Sequence, residues 1–256
     1  MKKFWGFLLL IVLMTSCGEY QSLLKSNDYN LVYKKAIEYY NKGDYQRAMN
    51  LLDGVRSVFV GQAKAQNIAY YRAFCSYNMK DYQIASDLFK QFIQTYPESS
   101  FAEECLYMMG FCDYKASPKP RLDQQVTEKA IREFQLYLSR YPYSMRKDKV
   151  NTYMDEMRDK LSYKAYLSAK NYYLREHYKS AVISLQNCLK DYPGSKYREE
   201  IMYMLFVSKY QMAVNSVEDK KVERYNNARE EYYYFADEYP NSRYAADVKK
   251  MYEDIE

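Results

Sequence analysis

The sequence is short of the residues that make turns. It has 7 Gly and 6 Pro in 256 residues, whereas a sandwich or barrel of short strands needs far more of both. It has one His, His177. That closes off His-based metal sites and Ser/His/Asp or Cys/His nucleophilic catalysis. The glycines stand singly, so there is no Gly-rich loop to cradle a phosphate. A dominant charge is lacking too: 38 Lys and Arg against 33 Asp and Glu leave a net +5. That is too weak a balance to indicate a nucleic-acid partner. Charged residues at 28 % exclude a polytopic membrane protein. What is abundant is tyrosine, with 33 copies. A large apolar ring with a polar tip suits half-buried surfaces repeated many times. The expectation is a protein of long helices, rich in Tyr and poor in catalytic chemistry, with no enzyme activity, cofactor or metal.

The one long apolar run lies at the start. Lys2 and Lys3 precede an apolar stretch of 11 residues, Phe4 to Met14. That is too short to span a bilayer and the right length for the core of a signal peptide. Thr15 and Ser16 then lead to Cys17. This arrangement resembles a bacterial lipoprotein signal, with Met14 where Leu is usual. The resemblance implies a signal peptide over 1–16, acylation of Cys17 and a lipidated linker over 17–28. Several acyl chains hold stably where one does not, because each buried CH₂ contributes about 0.8 kcal/mol. No Asp follows Cys17, so the outer membrane is the expected location. The other cysteines are Cys75, Cys105, Cys112 and Cys188. An oxidising compartment permits disulfides, but Cys105 and Cys112 are seven apart on one expected helix. That is about 10 Å along the axis, too far to bridge. All four read as buried free thiols.

The remainder repeats itself. Tyr-x-x-Ala occurs at Tyr45–Ala48, Tyr82–Ala85, Tyr178–Ala181 and Tyr225–Ala228, with Thr127–Ala130 as a variant. Twelve residues after the last four of these alanines in chain order come Pro97, Pro142, Pro193 and Pro240. Each Pro is preceded by Tyr (Tyr96, Tyr141, Tyr192, Tyr239) and followed two residues on by Ser (Ser99, Ser144, Ser195, Ser242). Between Ala and Pro, apolar residues recur with helical period, as in Leu88, Phe89, Phe92 and Ile93. Pro biases the Tyr before it away from the α region and ends the helix. The Ser is placed to N-cap the next helix, and Ser100 with Glu103 has capping-box spacing. A second helix precedes each Tyr-x-x-Ala, across a turn such as Asn41-Lys-Gly-Asp44 or Met79-Lys-Asp81. One such hairpin cannot bury its own apolar face, but stacked hairpins can.

The unit resembles the tetratricopeptide (TPR) repeat. Its small residue at position 8 is matched by Ala36, Ala73, Gly110, Ala169 and Ser208. Position 20 is matched by Ala48, Ala85, Ala130, Ala181 and Ala228. The expected fold is an all-α solenoid of five TPR-like repeats over about 29–61, 66–98, 102–143, 162–194 and 200–241, then a short C-terminal helix to residue 256. The alanines of position 20 are 37, 45, 51 and 47 residues apart, longer than a plain TPR. The excess falls in a Pro-broken loop, Ser117-Pro-Lys-Pro-Arg121, in a Gly- and Pro-free stretch over 144–175 that reads as one long helix, and around Asn215–Val222.

Signal, five repeats, loop insertion in the third repeat and long helix into the fourth together resemble the BamD family. These are the TPR lipoproteins of the bacterial outer-membrane β-barrel assembly machinery. Tyr107-Met-Met-Gly110 with Tyr141-Pro-Tyr-Ser144, and Ala169-Lys-Asn-Tyr-Tyr173 with Asp191-Tyr-Pro193, carry the likeness. The repeat-3 loop is shorter than in enteric members. The resemblance implies a non-catalytic scaffold, lipid-anchored in the outer membrane through Cys17 and facing the periplasm. Its C-terminal half would bind the POTRA domains of a BamA-type barrel protein. Its N-terminal repeats would receive targeting segments of unfolded outer-membrane proteins. The alternative is another periplasm-facing TPR lipoprotein adaptor, for example one coordinating peptidoglycan work or division. Glu103-Glu104 and Glu230-Glu231 read as solvated helix faces rather than acid/base pairs, since adjacent residues point in different directions. His177 reads as a solvated turn residue.

In a TPR array, positions 2, 5, 9, 12 and 13 of the first helix point to the concave face. Repeat 1 supplies Asn30, Tyr33, Ile37, Tyr40 and Asn41, and repeat 2 supplies Asn67, Tyr70, Phe74, Tyr77 and Asn78. The two sets agree as Asn-Tyr-apolar-Tyr-Asn. Asn can donate to and accept from a peptide backbone, and Tyr gives flat contact area at low entropy cost. Two readings stay open: a peptide groove, or rings that fill gaps between neighbouring helices beside solvated Asn.

Overall fold

The computed structural model describes residues 18–256. Residues 1–17, with the signal and Cys17, lie outside the described residues. The described chain is helical throughout. After helical residues 18–24 come α1 (Tyr29–Asn41), α2 (Tyr45–Val55), α3 (Ala63–Asn78), α4 (Tyr82–Thr95), α5 (Ala102–Ala116), α6 (Gln125–Arg140), α7 (Lys147–Leu174), α8 (Tyr178–Asp191), α9 (Arg198–Val214), α10 (Glu218–Glu238) and α11 (Ala245–Glu253). Each expected repeat is a helix–turn–helix pair. The Gly- and Pro-free stretch is one helix of 28 residues, α7. The extra residues of repeat 5 lengthen its helices, α9 to 17 and α10 to 21 residues, rather than forming a loop.

The chain forms two compact units. One comprises residues up to Pro118 with Gln124–Met154, and the other comprises Lys119–Asp123 with Asp155–Glu256. In the first unit α1 to α6 stack as three hairpins. In the second the C-terminal part of α7 pairs with α8, α9 with α10, and α11 packs on them.

Local chemistry explains the turns. Asp28 and Asp44 accept the Leu31 and Arg47 N–H groups and start α1 and α2. The turn inside three hairpins is the same Schellman motif. The Asp44 N–H donates to the Tyr39 carbonyl and Gly43 N–H to Tyr40; Asp81 to Ser76 and Lys80 to Tyr77; His177 to Tyr172 and Glu176 to Tyr173. The left-handed residue is Gly43 (φ 81°) in the first, but Lys80 (φ 68°) and Glu176 (φ 59°) in the others. The stop before each Pro is equally regular. Tyr96, Tyr141, Tyr192 and Tyr239 have φ between −126° and −133° and ψ between 59° and 65°. His177 stands exposed before α8.

The following Ser corrects one expectation. Ser99, Ser144, Ser195 and Ser242 do not N-cap the next helix. Each Oγ accepts the N–H two residues on, from Phe101, Arg146, Tyr197 and Tyr244, within the preceding turn. Ser100 and Glu103 form no capping box either; Phe101 is the N-cap and has no side-chain cap. Instead the hydroxyls of Ser99, Ser144 and Ser242 donate to Gln66, Glu103 and Glu199 on the first helix of the same repeat.

The paired small residues sit where helices cross. Ala36, Ala48, Ala73, Ala85, Ala130, Ala169, Ala181, Ser208 and Ala228 are all fully buried. The four described cysteines are free and buried. Burial pushes Cys75 and Cys105 up to about 12 and Cys188 to about 11, so these thiols stay protonated and inert. Of the two glutamate pairs, Glu230 is exposed as expected, and the other three are not solvated. Glu103 accepts from Tyr137 and Ser144, Glu104 accepts from Tyr70 and pairs with Arg146, and buried Glu231 pairs with Lys209 at 2.5 Å. The stack supplies partners across repeats that adjacency in sequence does not reveal.

Candidate functional site

The two Asn-Tyr-apolar-Tyr-Asn sets lie on α1 and α3 of the first unit. Asn30 and Asn41 are exposed and the other eight residues are half-buried. The structure links the sets pairwise. Lys64 donates to Asn30 Oδ1 at 2.6 Å. Burial raises the Tyr33 hydroxyl above its ordinary value, opposed by a hydrogen bond with Asn67. Burial pushes Tyr40 up to about 12, again opposed by a hydrogen bond, here with Asn78. Three of the four asparagines therefore tie α1 to α3. The same contact recurs with a carboxylate in place of the amide: Tyr70 donates to Glu104 at 3.0 Å and Tyr166 to Glu200 at 2.9 Å, each 34 residues ahead. In repeats 1 and 2, position 5 thus meets position 2 of the next repeat, while Glu200 stands two residues before position 2 in the register that puts Ser208 at position 8. The Tyr70 hydroxyl is raised first by burial and then by the Glu104 charge. These phenols are neutral donors at neutral pH.

The two sets form a ladder of half-buried rings, with Tyr33, Ile37 and Tyr40 packed against the core. Tyr70 lies 4.5 Å from Phe74, Phe74 6.4 Å from Tyr77, and Tyr77 6.2 Å from Phe111. Tyr33 packs on Phe59 and Tyr40 on Tyr71. The ladder continues beyond the expected residues. Phe111 stacks on Tyr107 and Tyr114, and Tyr114 on Tyr153 at 4.5 Å. The signal for this extension is the register itself: with Gly110 at position 8, Tyr107, Phe111 and Tyr114 occupy positions 5, 9 and 12 of repeat 3.

A second feature becomes visible when the four Pro-x-Ser-x turns are aligned. The residue after Pro is Glu98, Gly194 or Asn241 in three copies and Tyr143 in the other; the residue after Ser is Ser100, Lys196 or Arg243 in three and Met145 in the other. Tyr143 and Met145 are 98 % and 103 % exposed. Among the described residues no group of three His, Cys, Asp or Glu converges as metal ligands would. No described helix is long and apolar enough to cross a membrane.

Stacked helical hairpins that lock repeat to repeat, with a ladder of rings in the first unit, define a helical-repeat module for protein interaction. The chain belongs to the YfiO family, described as outer membrane lipoprotein, which it matches over residues 25–194 and 164–256. No curated protein matches the sequence. Among solved structures it is similar to a TPR-repeat protein from Bacteroides fragilis, with a TM-score of 0.42, 12 % identity, and coverage of 90 % of this chain and 98 % of that one. It is also similar to the TPR2AB domain of yeast Sti1 in its pHSP90 complex, with a TM-score of 0.40, 14 % identity, and coverage of 89 % and 98 %.

Proposed function

We propose that this protein is a BamD-type scaffold of the machinery that assembles β-barrel proteins into the outer membrane. Acyl chains on Cys17 hold it on the membrane, facing the periplasm. Its C-terminal half docks the POTRA domains of a BamA-type barrel protein. Its N-terminal repeats receive segments of unfolded outer-membrane proteins. The observation that carries this reading is the family match, which spans both units. The ring ladder of α1, α3 and α5 supports the client-binding part. Half-buried rings about 4.5–6.5 Å apart offer an extended chain successive flat surfaces at low entropy cost. Asn30 and Asn41 are exposed at the edge of that face, where their amides can meet a peptide backbone.

Affinity isolation from detergent-solubilised envelopes tests the partner: a barrel protein with POTRA domains should co-purify, and a peptidoglycan synthase in its place would overturn the reading. A titration with a C-terminal barrel peptide tests the face. Tyr33→Ala/Tyr70→Ala should weaken binding tenfold or more, from about 1–2 kcal/mol per lost anchor, and Asn30→Ala/Asn67→Ala should weaken it less. Unchanged affinity in folded double mutants removes the peptide from these repeats. For the anchor, Cys17→Ser should move the protein into the soluble fraction. Continued sedimentation with membranes after salt washing and partner removal would show that something other than the acyl chains holds it.

A further inference from the structure

The second unit contains a cleft of about 750 Å³, within the range of about 300–1,000 Å³ typical of ligand sites. One wall is α7. Its Tyr163 and Tyr166 form a near-parallel set with Tyr197, with centroids 5.2 Å and 4.4 Å from Tyr197. Tyr166 is buried within the stack, while Tyr163 and Tyr197 are half-buried. Arg121 also lines the cleft, and beside Arg121 the Leu122 carbonyl accepts from the Lys164 ammonium at 2.8 Å.

The charge of the cleft is one-sided. Its described lining includes Arg121, Lys164 and Lys170 and no Asp or Glu. Lys170 is engaged from behind, donating to Glu200 at 2.7 Å and to the Tyr166 hydroxyl at 2.9 Å, and these bonds raise its pKa and keep it charged. Lys164 has only a carbonyl as partner, and Arg121 is exposed and makes no hydrogen bond or ion pair among the described residues. The cleft thus pairs two cations lacking carboxylate partners with the half-buried rings of Tyr163 and Tyr197. Such an arrangement is complementary to a carboxylate held beside a flat apolar group. A lipid headgroup or inorganic phosphate would engage the cations and leave the rings in water.

We propose that this cleft binds an acidic, aromatic-bearing peptide segment of a partner protein, with a carboxylate on Arg121 and Lys164 and an aromatic side chain against Tyr163 and Tyr197. The proposal does not depend on the partner's name. Its residues lie in the second unit, so it stands or falls apart from the aromatic face of α1 and α3.

Fluorescence anisotropy with the detergent-solubilised full chain tests it, using a labelled peptide of alternating Glu and Phe and a Lys/Phe control. The acidic peptide should bind, the basic one should not, and affinity should fall with salt. Arg121→Glu should weaken binding tenfold or more with an unchanged melting curve, because Arg121 holds nothing in place. Tyr163→Ala should weaken it comparably, and Tyr33→Ala/Tyr70→Ala should not. Equal binding of the basic peptide, or full affinity in Arg121→Glu, overturns the proposal. So does a chain that ignores the peptide but binds phosphatidylglycerol vesicles through Arg121.

Discussion

Gly110→Ala is expected to destabilise the first unit, although Gly to Ala inside a helix ordinarily gains about 1 kcal/mol. A Cβ built at Gly110 would stand 2.8 Å from Phe134 Cδ1 and 3.0 Å from Cε1. The ring cannot yield: Phe134 is fully buried and packed between Tyr107 at 6.3 Å and Tyr153 at 5.9 Å. Added atoms in a filled core cost about 1–3 kcal/mol. Gly110→Ala should fall in that range and Gly110→Leu at its top or beyond. Phe134→Leu should cost less in the Gly110→Ala background than alone, because it relieves the clash. Chemical denaturation of the four proteins gives the cycle. A Gly110→Ala chain as stable as the parent would show that α5 and α6 do not cross at this residue.

The second large effect is on pH. Asp113 and Glu133 are buried on α5 and α6, 2 % and 8 % exposed. They share one cation: Lys129 lies 2.9 Å from Asp113 and 3.7 Å from Glu133. Ser86 donates to Asp113 at 3.0 Å, while Glu133 Oε2 is buried with no hydrogen-bond partner. Burial first, then the hydrogen bond and charge of Asp113, push Glu133 up to about 8 from 4.5. Between these values the folded chain holds a proton that the unfolded chain has released. Stability therefore falls as pH rises from about 4.5 to about 8, by a few kcal/mol in total. Glu133→Gln keeps the shape without the charge. It should remove this slope and melt higher than the parent at pH 8, with little difference at pH 5. Parallel melting profiles from pH 5 to 8.5 would mean that Glu133 is already ionised in the folded chain.

Much of this molecule was legible because its rules are local. A Tyr-Pro pair stops a helix wherever it stands, and the four stops have nearly the same dihedral angles. Small residues at two fixed positions mark where two neighbouring helices cross, and these proved fully buried. The register also located the rings of α1 and α3, and applied to Gly110 it reaches Phe111 and Tyr114. Partner choice was not legible. The register places Asn67 and Asn78 on the concave face, and only the stack brings them to Tyr33 and Tyr40. Glu103, Glu104 and Glu231 look like surface charges in sequence, and the stack turns each toward a phenol, a hydroxyl or an ammonium. The Pro-x-Ser hydroxyls look like helix caps and instead serve the turn and an earlier helix.

The sequence by itself determined the helices, their stops and the hairpin register, because propensity, proline and periodicity act within a few residues of where they are written. Only the tertiary structure decided which polar atoms meet. It brought Arg121 beside the tyrosines of α7 and left Glu133 one hydrogen bond short. Such contacts join residues distant in sequence, and hydrogen bonding and burial there depend on the packed neighbour rather than on the chain on either side.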